Sequence, residues 1–124
     1  MKTIVAIIVA GLLQLSSSAV LAHAEHGQPQ FGGVVAEAGE AQFEIVGKGG
    51  KIVVHATSHG VPVDTAGAKA KLTVLAGGAK SELALAPVAP NRLEAAGSLA
   101  SGAKLLILVE WPGRKPLQGR AVAP

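Results

Sequence analysis

A chain of 124 residues with eleven Lys plus Arg against eight Asp plus Glu, no Cys and only 2% aromatic residues holds one small core and not two. The lack of Cys excludes a disulfide framework, a lipoprotein anchor and a thiol nucleophile. Ten of the eleven basic residues follow residue 22, so a chain cut there carries a net charge of +2. Those residues are scattered and not interleaved with aromatics, which excludes a nucleic-acid surface.

Met1 and Lys2 supply a short positive end, and residues 4–15 form an apolar run broken only by Gly11 and Gln14. A membrane-spanning helix needs about 20 apolar residues, so the run is read as the helix of a secretory signal. Small residues in Ala19-Val20-Leu21-Ala22-His23-Ala24 suit signal peptidase. Cleavage after Ala22 defines a signal peptide at 1–22 and makes His23 the amino terminus; cleavage after Ala24 removes that histidine. Export places the chain in the periplasm of a bacterium. Residues 23–30, polar with Gly27 and Pro29, read as a flexible arm, and residues 31–124 as the β-sandwich domain.

From Phe31 onward, short β-rich runs are punctuated by Gly and Pro. Gly33-Val34-Val35-Ala36 predicts a short strand, and Gln42-Phe43-Glu44-Ile45-Val46 alternates with the period of a half-buried strand. Gly49 and Gly50 supply the positive φ angles that pair it in a hairpin with residues 51–57. A second hairpin is predicted from residues 70–75 and 81–85 around Gly77-Gly78, closed by Pro87 and Pro90, which cannot donate to a ladder.

Residues 91–96 predict a further strand. The continuous run Leu105-Leu106-Ile107-Leu108-Val109 within residues 103–111 predicts a central strand covered on both faces or at its ends. Residues 118–122 add an edge strand, and at most one turn is expected at 66–70. Seven to eight short strands with no helical period give the expected fold class, an all-β, antiparallel immunoglobulin-like β-sandwich preceded by a signal-peptide helix. Its expected core is Val35, Phe43, Ile45, Ile52, Val54, Leu72, Val74, Leu83, Leu85, Leu93, Leu106 and Leu108, with Trp111 capping the rim.

No Gly-x-Ser-x-Gly elbow, Cys nucleophile or phosphate-cradling glycine loop is present, and the carboxylates are dispersed, so a non-enzymatic protein is expected. The chemistry rests with His23, His26, His55 and His59. A single such histidine is more often solvated or bonded to local backbone. Four in two short stretches of an exported chain point to copper or zinc, which neutral imidazole binds well. The His55-x-x-x-His59 spacing is not a helical pair here, and its convergence requires the chain to fold back within the turn.

The segments Gly32-Gly33-Val34-Val35, Gln42-Phe43-Glu44-Ile45-Val46, His59-Gly60-Val61-Pro62-Val63-Asp64-Thr65 with its continuation to Leu75, and Asn91-Arg92-Leu93-Glu94-Ala95 resemble a family of small periplasmic proteins. Members of that family accompany heavy-metal efflux systems of the resistance-nodulation-division type, and similar modules occur near the amino end of their adaptor proteins. The resemblance covers most of the chain after the signal and implies a metal-resistance setting with an efflux adaptor as partner.

The resemblance places His59 in the matching turn. The chain departs from the family pattern at Phe31-Gly32-Gly33, where relatives read His-Gly-Gly, and in an arm that holds only His23 and His26. The expectation is an exported accessory protein of copper or zinc resistance that binds the metal weakly or hands it over, with His23, His26, His55 and His59 as ligands. The alternative is a metal-free interaction module that docks by an exposed sheet edge on an efflux adaptor or another exported protein.

Overall fold

In the computed structural model, residues 27–124 are described; the expected signal helix, its cleavage site, His23 and His26 lie outside the described residues. Alternating apolar and polar side chains write nine strands: β1 (Val34–Ala38), β2 (Ala41–Lys48), β3 (Lys51–Ser58), β4 (Val61–Pro62), β5 (Lys69–Ala76), β6 (Ala79–Val88), β7 (Arg92–Ala96), β8 (Lys104–Glu110) and β9 (Leu117–Val122). Their order is β1-β2-β3-β7-β6-β5-β8-β9, with β4 paired to the end of β3. Every pairing is antiparallel. The antiparallel all-β class matches the expectation, with nine strands in place of seven or eight. One continuous, nearly barrel-shaped sheet stands where two separate sheets are expected.

Two glycine pairs set the main hairpins. Lys48 pairs with Lys51 around Gly49 and Gly50, at φ 63° and 76°, and Ala76 pairs with Ala79 around Gly77 and Gly78, at φ 56° and 83°. Two positive φ angles are what a two-residue type I′ turn demands, and its twist matches that of the strands.

β6 makes the sheet continuous. It pairs with β5 as far as Leu85 and then with β7 from Ala86 to Val88. Pro87, expected to end the hairpin, lies inside this strand. The last β5 pair is already behind it, so its missing N–H can face a free strand edge. At the ends of the sheet, a Cβ at Gly119 would sit 2.9 Å from the Glu37 carbonyl oxygen and 3.1 Å from Ala36 Cβ. Only glycine lets β9 come this close to β1 and nearly close the barrel.

The interior is aliphatic. Phe43, Ile45, Ile52, Val54, Leu72 and Leu93 are buried as expected, together with small residues such as Ala36, Ala56 and Ala103. Full burial of a large apolar side chain contributes about 1.5–3 kcal/mol. On β8 the phase is the reverse of the expected one: Leu105, Ile107 and Val109 point inward, while Leu106 and Leu108 are only partly buried. Ala36 likewise replaces Val35, and Leu83 is half-buried. β8 is therefore covered on one face.

The loop between β4 and β5 is pinned. Trp111 is 9% exposed, and its indole N–H donates to the Asp64 carbonyl at 3.2 Å, while the Arg114 guanidinium lies 5.9 Å from its ring centroid. The fully buried Thr65 hydroxyl donates to the Arg92 carbonyl at 2.9 Å. The Pro-Val-Asp-Thr stretch thereby locks the passage between the hairpins.

Candidate metal groove

The outer face of β1, β2, β3 and β7 carries Glu37, Glu44, Lys51, His55, Arg92 and Glu94. Period two sends Ile52, Val54 and Ala56 into the core and leaves Val53, His55 and Thr57 outside. Strand register then sets Glu44 beside His55 and His55 beside Arg92. The neighbouring row is Glu37, Gln42 and Thr57.

β3 stays extended from His55 to Ser58 and reverses only at His59-Gly60, so the expected fold-back does not fall between the two histidines. Ser58 pairs with Val61, which leaves His59-Gly60 as a two-residue turn with φ of 51° and 79°. His59 is thus a non-glycine residue in the left-handed region, at a position usually filled by Asn, Asp or Gly. Such conformations cluster at functional sites. At about 3.3 Å per residue, a straight strand would separate the two histidine Cα atoms by about 13 Å, so His55 and His59 mark two ends of one groove.

A strap, residues 27–33, runs over this face. Glu44, only 6% exposed, grips it: Oε1 accepts from the Gln30 N–H at 2.6 Å, and Oε2 accepts from the Phe31 and Gly33 N–H groups at 2.8 and 3.0 Å. The crossing needs glycine, since a Cβ at Gly33 would lie 2.3 Å from the Ile45 carbonyl oxygen. Phe31 stacks on His55 with ring centroids 3.8 Å apart and planes 15° from parallel. Farther along, a Cβ at Gly27 would lie 3.0 Å from Glu37 Oε1, so the strap reaches the row between the two histidines. Strap and sheet enclose a groove of about 370 Å³ bounded by Gly27, Gln30, Phe31, His55, Thr57 and His59, among others.

Burial is the main influence on His55, pushing it below its ordinary pKa; the Arg92 charge acts in the same direction, and Glu44 and Glu94 oppose it. The lowered pKa disfavours the imidazolium, and neutral imidazole is the form that ligates metal. Glu94 is held below the usual carboxylate value chiefly by its hydrogen bond from Lys51. Arg92 Nε lies 3.6 Å from Glu94 Oε2.

Both oxygens of Glu44 are committed to amides, so it serves as a structural anchor. Among the described residues no group of three or more His, Cys, Asp or Glu side chains is placed to hold one ion. The groove joins His55 and His59; His23 and His26 lie outside the described residues.

No motif in the sequence marks Glu44 or Phe31 for a site role. A Glu within Gln-Phe-Glu-Ile-Val looks like an ordinary outward residue of an alternating strand. The usable signal is upstream: an aromatic in a polar linker followed by Gly32-Gly33, a composition suited to a segment that lies against the sheet. No protein-family model, curated protein or solved structure matches this chain.

Proposed function

We propose that this chain is an exported periplasmic accessory protein of copper or zinc resistance that binds a divalent ion weakly in the groove and hands it to an efflux adaptor. His55 on β3 and His59 in the turn after it are two ligands, His26, next before the strap in sequence, is a third, and His23 joins them when processing makes it the amino terminus. One observation carries the reading: His55, His59 and Gly27 line the same groove. His26 directly precedes Gly27 in the sequence. The lowered pKa of His55 and the left-handed turn at His59 support it.

In this proposal the nearly closed sheet is a flattened immunoglobulin-like sandwich whose layers share β6. Calorimetric titration with Cu(II) and Zn(II) of the protein beginning at His23, its start verified by intact mass, tests the metal reading. His59→Ala should weaken binding by at least the roughly ten- to hundredfold that loss of an outer-shell partner costs. An unchanged isotherm, or no binding by the wild type, sinks the reading.

The metal-free interaction reading draws on one observation, the two-residue β4, where Val61 is 63% exposed. Capture of an efflux adaptor that ignores chelator would favour it.

A further inference from the structure

The same groove contains two groups that would not ligate the ion and yet are placed to govern a residue that would. We propose that Glu44 and Phe31 are positioning residues for His55: Glu44 holds the strap, and the strap holds the Phe31 ring flat against the imidazole. What the positioned ring then does rests on the metal reading above; the clasp itself does not.

Phe31 is fixed at both ends. Its N–H donates to Glu44 Oε2 at 2.8 Å, and its ring lies on His55 at 3.8 Å. Glu44 and His55 are directly opposed on neighbouring strands, a placement that sets their Cβ atoms about 4.5–5.5 Å apart. Carboxylate, backbone amide, phenyl ring and imidazole thus form a chain of contacts whose two ends stand on opposed residues of β2 and β3. Phe31 is 55% exposed, so the ring gains little from burial, and its stacking on His55 is the specific contact that it makes.

The stack covers the face of the imidazole. Metal binds in the ring plane through a nitrogen lone pair, so a ring lying on the face fixes the orientation of His55 without occupying its donor atoms. This is the relation that partners of metal-binding histidines commonly hold: they orient the ring without touching the ion.

Glu44 is suited to the role as an anion. Three N–H donors converge on its two oxygens, and among the described residues no Lys or Arg pairs with it. A buried carboxylate is costly unless fully hydrogen-bonded, so backbone amides of the strap take the place of a counterion. A glutamine here would offer one acceptor oxygen and turn an NH₂ group toward amides.

Because the strap forms one wall of the groove, a ligand bound there stabilises strap attachment, and attachment strengthens binding by the same factor.

The test uses the protein beginning at His23 and the variants Glu44→Gln, Phe31→Ala and Phe31→Trp. In the metal-free state, Glu44→Gln and Phe31→Ala are expected to move the His55 ring-proton NMR signals in the same direction. Glu44→Gln should also lose amide-exchange protection at Gln30, Phe31 and Gly33, while Phe31→Trp keeps the stacked shift. Copper or zinc titration should show binding about ten- to hundredfold weaker in Glu44→Gln and Phe31→Ala, restored in Phe31→Trp.

His55 signals and exchange protection that stay at wild-type values in Glu44→Gln overturn the clasp. Wild-type metal affinity in both variants overturns the positioning role and leaves the metal site standing. A wild type that binds neither metal, with the ring signals still moving as expected, removes the metal reading and upholds the clasp. If Glu44→Gln fails to fold, Phe31→Ala, altered only at an exposed ring, decides the matter.

Discussion

β3 and β8 bury their inner rows alike, Ile52-Val54-Ala56 on one and Leu105-Ile107-Val109 on the other. Their outer rows end differently. On β3, His55 lies beneath Phe31 beside a carboxylate saturated with amides. On β8, Leu106 and Leu108 stand in an uncovered face, and Lys104 sits between Leu75 and Val122, which are 44% and 57% exposed. The half of the sheet that carries His55 is therefore distinguished by the chain that lies over it, and that chain comes from ahead of β1.

Breaking the comparison means removing the cover. Gly33→Ala places a Cβ against the Ile45 carbonyl, and its expected cost is about 1–3 kcal/mol, the range for inserting a carbon where there is no room. Urea unfolding should show the loss, with the Phe31 to His55 contact missing from NMR spectra. Wild-type stability with the strap in place would mean that the crossing does not depend on glycine.

A smaller effect comes from the covered histidine. The unfolded chain takes up a proton on His55 as pH falls through about 6.5, whereas the folded chain, with the group held below that value, takes it up later. The unfolded state then binds more protons, so stability present at higher pH declines as pH falls through this window. His55→Gln should flatten that slope, measured as the urea midpoint against pH. Glu94, also held low, acts in the same direction but in the acidic range where carboxylates titrate, so the two contributions separate.

The smallest effect belongs to the uncovered half. Val122→Ser, at an exposed position of β9, should change stability by no more than about 0.5 kcal/mol. A larger loss would show that this face is covered as well.

What could be read in advance follows from the same contrast. The β2–β3 and β5–β6 hairpins were legible because paired glycines interrupt clean alternation, and each side chain's face follows from its parity. β8 was not, because Leu105-Leu106-Ile107-Leu108-Val109 is apolar in both phases, and a one-residue slip exchanges the faces. Its neighbours decide: Ile107 pairs with Leu72 on one side and Gly119 on the other, both inward-facing.

Pro87 misled for a related reason. Its effect depends on whether another strand lies alongside, which a local reading does not contain. His59 was legible as a turn residue, but the groove it shares with His55 depends on residues 27–33, whose docking on Glu44 is a long-range contact. The histidines named the face, and the glutamate that organises it looked like any other polar residue on a strand.

β6 belongs to both halves, pairing with β5 as far as Leu85 and with β7 beyond it. Neither half can be stripped away without breaking the strand that they have in common, so opening events large enough to expose the core must involve the whole sheet at once. Among the described residues, the hydrogen bonds that tie the strap to the sheet all end on Glu44, and the Phe31 stack adds to them, so the strap can detach at a far lower cost. The molecule thus has two scales of opening, a global one governed by β6 and a local one governed by a single carboxylate.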